Sequence, residues 1–81
     1  MKTKQNAGHF VKEVMAVIEN CEGYELTSEI DNVLEKWEDY FSITPVPQMI
    51  AEWADNLIDL MNNVEGSELE RELKALRLPG L

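Results

Sequence analysis

The sequence predicts an all-α fold, a compact bundle of three main helices plus a short C-terminal fourth helix. Three observations point there. Apolar residues recur at a spacing of about 3.6. No segment alternates with period two, and no Asn-Gly or Asp-Gly hairpin signal occurs. Glycines and prolines stand where the apolar stretches end.

The first helix is expected over about residues 6–22. Its apolar stripe is Phe10, Val11, Val14, Ile18 and Cys21, with Met15 and Val17 on the flanks. Gly23 follows at a natural left-handed position past the helix end, and Tyr24 is placed to fold back toward Ile18. The second helix, about 28–41, opens at "TSEID". Thr27 or Ser28 caps it, and Glu29 and Asp31 suit the positive end of its dipole. Its stripe is Ile30, Val33, Leu34, Trp37 and Phe41, and it must stop before "TPVP", because a proline disfavours helical geometry in the residue before it.

The third helix begins there, with Thr44 or Val46 at its cap and a proline in the first turn, where no internal hydrogen bond is lost. It runs to about residue 64 on a stripe of Met49, Ile50, Trp53, Leu57, Leu60, Met61 and Val64, and Gly66 ends it. Ser67 and Glu70 then spell a capping box, S-x-x-E. The fourth helix, about 68–77, presents Leu69, Leu73 and Leu76. Its acids come early and Lys74 and Arg77 late, in agreement with its dipole. Trp37 and Trp53 both lie inside their stripes and read as core.

At 81 residues the chain reads as a single acidic helical domain over 1–81, with residues 1–5 frayed. A hydrophobic content of 44% is too high for a disordered chain. No run of about 18 apolar residues occurs, so no membrane span is expected. "MKTKQNAGHF" has lysines but no apolar stretch behind them, so no signal peptide is expected. Cys21 is the only cysteine, which rules out an internal disulfide and suits a cytoplasmic setting.

Charge is the dominant feature. The net charge is −9, and it is unevenly spread. Residues 1–12 carry three lysines and no acid, residues 13–65 carry thirteen acids against Lys36 alone, and residues 66–81 balance. Such a field repels nucleic acid and anionic membranes and attracts basic surfaces. Direct nucleic-acid binding and membrane association are therefore not expected.

The residues also argue against catalysis. His9 is the only histidine and points away from the Phe10–Val14–Ile18 stripe, so neither a triad nor a histidine-rich zinc site is available. Cys21 lies on the apolar stripe among Glu19, Glu22 and Glu25, which favour the thiol over the thiolate. No EF-hand loop, E-x-x-H pair or phosphate-binding glycine loop is present, so no metal or cofactor is expected. The carboxylates fall on solvated faces rather than in the apolar pocket a general acid needs. Acyl carrier proteins are likewise small, acidic and helical, but they carry their prosthetic group on a serine in an Asp-Ser-Leu motif, which "TSEID" lacks. The chain is not expected to be an enzyme.

What remains is a surface. Asp31, Glu35 and Glu38 fall in one narrow stripe flanking the core face of the second helix, with Asp39 beside it. Glu52, Asp55 and Asp59 form a stripe opposite the core face of the third. Like charges three or four residues apart cost a few tenths of a kcal/mol each. A sequence chosen for stability alone would mix in lysines, as the fourth helix does with Glu70 and Lys74. The ordinary explanation is a solvated face that keeps the protein dissolved. The functional one is a set of carboxylates that stand in for phosphates, which follow one another about 7 Å apart along a duplex strand. In size, charge and helicity the chain resembles small acidic phage-encoded inhibitors of restriction and CRISPR systems, although no motif carries the resemblance.

The expected partner is thus a basic protein surface, such as that of a nucleic-acid-binding protein, occupied by a DNA-mimic inhibitor through Asp31, Glu35, Glu38, Asp39, Glu52, Asp55 and Asp59. The same electrostatics would serve an immunity protein or antitoxin bound to a basic toxin. The third reading is a helical adaptor, or a homo-oligomer, that binds by apolar edges. Tyr40, Ile58 and the tail residues Leu78 and Leu81 are its candidate contacts.

Overall fold

The computed structural model describes residues 7–79. The expected fraying of residues 1–5 and the tail residue Leu81 lie outside them. Four helices follow one another: α1 (Ala7–Asn20), α2 (Gly23–Ile43), α3 (Gln48–Asn63) and α4 (Gly66–Lys74). Among the described residues there is no strand, so the all-α reading holds. No helix among them is long and apolar enough to cross a membrane.

The core forms where the apolar stripes meet. Phe10, Val14, Leu26, Ile30, Leu57 and Leu73 are sealed from solvent, and Trp37 and Trp53 are buried beside them, as their place in the stripes required. Phe10 is the hub. Its ring meets Phe41 edge-on at 4.8 Å, Trp37 at 5.9 Å and Trp53 at 6.0 Å, so one residue of α1 ties α2 to α3. Edge-to-face contacts of this kind add about 0.5–1.5 kcal/mol each beyond the area they bury. The early α1 residue Phe10 meets the late α2 residues Trp37 and Phe41, while the later α1 residues Ala16 and Val17 share a cleft with Glu29 and Val33. These two helices are therefore antiparallel, as the two-residue connection between them favours.

Several local expectations are corrected. α2 begins five residues early, at Gly23. Gly23 does adopt the expected left-handed backbone, with φ +59°, but it reverses the chain directly into α2 rather than into a loop. Thr27 therefore lies inside the helix, where its hydroxyl donates to the Tyr24 carbonyl (3.0 Å), and neither it nor Ser28 is the cap. The longer helix brings Leu26 into the core at 0% exposure, and it leaves Tyr24 88% exposed rather than folded onto Ile18.

α3 begins after Pro47, whose carbonyl accepts from the amides of Ile50 and Ala51, both at 3.0 Å. Thr44 and Val46 thus precede it, and Met49 is 56% exposed rather than part of the packed stripe. The capping box is not formed, because α4 starts one residue ahead of Ser67, at Gly66, and Glu65 before it makes no side-chain cap. α4 also stops at Lys74, short of the expected 77.

Polar ties from α3 and α4 help close the bundle. Lys74 of α4 donates its Nζ to the carbonyls of Ile18 and Cys21 (3.0 Å to Cys21), placing a cation at the negative end of α1. Trp53 donates its indole N–H to the Arg77 carbonyl (2.7 Å), holding the segment after α4 on the core.

Candidate functional site

Each side of α2 meets a different neighbour. On the α1 side, Glu13 reaches across and its carboxylate accepts from Lys36 Nζ (2.6 Å) and from the indole N–H of Trp37. Partial burial pushes the Glu13 carboxyl up, but the hydrogen bonds from Lys36 and Trp37 and the charges of Lys36 and His9 outweigh it, so its pKa lies below the usual carboxylate range. Lys36, the only cation in either acidic helix, is thereby committed to this seam. Tyr40 belongs to the same side. It is half-buried and edge-on to Trp37 at 5.1 Å.

On the α3 side, the backbones of α2 and α3 stand apart and a groove of about 610 Å³ lies between them. Its apolar lining is Leu34 and Phe41 from α2 and Ala54, Ile58 and Met61 from α3. Asp31, Glu35 and Glu38 line it from α2, and Asn62 lies across from them. A second hollow of about 310 Å³ shares Phe41, Ala54 and Ile58 and continues to Thr44, Val46 and Asp55. Asp31 and Asn62 line the first hollow while Thr44 and Ala51 line the second, so the start of α2 lies toward the end of α3, the antiparallel arrangement that their short connection favours.

Four of the seven carboxylates singled out in the sequence, Asp31, Glu35, Glu38 and Asp55, are thus brought to one apolar groove. The other three are exposed but away from it. Glu52 accepts from the Gln48 side chain (2.9 Å), the Asp39 backbone carbonyl accepts from Ser42, and the Asp59 carbonyl accepts from Asn63. The Lys36–Glu13 ion pair involves none of the seven, and none of them forms a salt bridge with another described residue. Ile58, 41% exposed, lines the groove.

Sequence reasoning missed the groove because Leu34, Phe41 and Met61 read as core. The available signal was their position. They sit at the edge of each apolar stripe nearest the acids, and Ala54, too small to mark a stripe, completes the lining.

Elsewhere the chemistry is sparse. Among the described residues no group of three or more His, Cys, Asp or Glu is placed to hold a metal ion. Cys21 is half-buried, and burial together with the nearby Glu25 and Glu29 pushes its thiol pKa up, the opposite of what a nucleophile needs. The fold and surface define a class, an acidic helical bundle whose open side is an apolar groove with a carboxylate rim. Comparison with protein-family models, with curated proteins and with solved structures finds no match for the chain.

Proposed function

We propose that this protein is a small binding module that docks its acidic α2–α3 face on a basic surface of a target protein. The target surface is one that otherwise holds a nucleic acid, so that the module acts as an inhibitor of the DNA-mimic type. One observation carries this reading. Seven exposed carboxylates on two neighbouring helices form no salt bridge among the described residues, and Lys36, the only lysine of those helices, is occupied by Glu13 on the far side. Leaving that repulsion in place costs stability, and a basic partner would relieve it.

The test is capture of binding proteins on the immobilised chain at about 10 and 200 mM salt, beside a Glu35→Lys/Glu38→Lys variant. The expected result is a basic nucleic-acid-binding protein held most strongly at low salt, released by competing duplex DNA, and captured more slowly by the variant. If the variant binds the same protein at the same rate at low salt, the acidic face is a solvated surface and the reading fails.

A further inference from the structure

We infer that the α2–α3 groove is the seat of one amphipathic α-helix from the basic partner, an inference that rests on the proposed acidic-face reading and deepens it. A surface that matched only phosphates would need carboxylates alone. Here the rim encloses an apolar strip formed by Phe41, Ala54, Ile58 and their neighbours, and Ile58 is left 41% exposed at its centre. Two antiparallel helices standing apart present ridges and a trough of the shape that a third helix fills. From Asp31 to Thr44 the trough spans about 20 Å, the length of a helix of some four turns. Among the described residues there is no strand, so an extended peptide would find no sheet edge to pair with.

The charges select the occupant. Asp31, Glu35 and Glu38 flank the trough along α2 and Asp55 stands at its far end, while among the described residues no Lys or Arg lines it. An apolar stripe at i, i+3 or i+4, and i+7 would meet the lining, with lysines or arginines beside that stripe to face the rim. A second copy of this chain does not meet that requirement, because its own apolar stripes on α2 and α3 are bordered by acids. The N-terminal "MKTKQN" is basic but has no apolar stripe.

The experiment uses the intact, isotope-labelled chain and three designed peptides of about 18 residues, long enough to overfill the trough. The first has a leucine stripe flanked by lysines. The second has the same composition, scrambled so that no stripe forms. The third keeps the stripe but replaces lysine with glutamine. The striped lysine peptide is expected to bind, to shift the amide signals of Leu34, Ala54 and Ile58, and to bind about tenfold more weakly to Ile58→Gln, whose fold circular dichroism checks. The other two peptides should bind at least about tenfold more weakly to the native chain. Equal binding of the striped and scrambled lysine peptides, unaffected by Ile58→Gln, overturns the groove and leaves the acidic-face reading standing. Equal binding of the glutamine peptide overturns the requirement for a basic helix. Failure of both lysine peptides to bind at low salt removes both readings.

Discussion

The two sides of α2 carry similar chemistry and reach opposite outcomes. Toward α1, a carboxylate meets a lysine and an indole N–H, and the seam closes around Glu13, Lys36 and Trp37. Toward α3, three carboxylates meet neither, and the helices stand apart. Acidic residues in this chain are thus of two kinds. One is fastened into the structure, and its charge is locally answered. The other, seen in Asp31, Glu35 and Glu38, projects from it with no salt bridge among the described residues. The contrast shows why a count of acids said little about role, since the role depends on what stands opposite.

The largest effect should come from removing the anchor of the closed side. Trp37→Ala should destabilise by about 3–5 kcal/mol, as truncated core aromatics do, measured by urea denaturation. Trp53→Ala should fall in the same range. A variant that keeps its melting temperature would show that its indole is not core, and the distinction between the two sides would collapse.

Next is the fastened acid itself. Glu13→Gln should cost about 1 kcal/mol at neutral pH, discounted because the side chain is partly exposed. The sign with pH follows from its lowered pKa. The charged form is favoured in the folded state, so its contribution is fully present above the unfolded glutamate pKa of about 4.3 and is lost as pH falls through the lower folded value. The gap between native protein and Glu13→Gln should therefore narrow below about pH 4. A constant gap from pH 7 to pH 3 would mean that the pair adds no charge-dependent stability.

A similar cost, about 1 kcal/mol, is expected for Lys74→Met, which leaves the Ile18 and Cys21 carbonyls without their cation. Hydrogen exchange should quicken most at the end of α1. Uniform quickening would argue against a local cap.

The smallest effect concerns the open side. Glu35→Lys/Glu38→Lys should leave stability within about 0.5 kcal/mol at low salt, with a slight gain, because both residues are exposed and the change relieves repulsion. Raising salt from about 10 to 200 mM should stabilise the native chain and do less for the variant. Destabilisation by salt would mean that the acids of the open side are paired after all.

Much of the fold was legible because its signals are local. Helical period, the proline stop after α2, the left-handed backbone at Gly23 and the break at Gly66 act within a few residues of where they are written. Local signals also misled. "TSEID" and the Ser67–Glu70 box are plausible starts, yet each helix begins earlier, at a glycine that reverses the chain, and side chains that would have capped became helical surface. Leu26 lies in the stretch of α2 ahead of those caps and is buried, while Met49, although at a stripe position, is exposed.

By itself the sequence determined the helix count and order, the burial of both tryptophans, and an acidic middle with almost no compensating cation, since these depend on composition and on the geometry of a single helix. Only the tertiary structure decided which acid is answered and which is free, and whether an apolar edge becomes core or groove lining. Glu13 and Trp37 are 24 residues apart, and Lys74 and Ile18 are 56 apart. No helical period reaches that far. Nor does it say that α2 and α3, each with a well-formed apolar face, would turn those faces to the core and leave the adjoining edges parted. Phe10 meets the indoles of both helices on the core side, and on the other side Asp31, Glu35 and Glu38 of α2, with Asp55 of α3, become the rim of a groove.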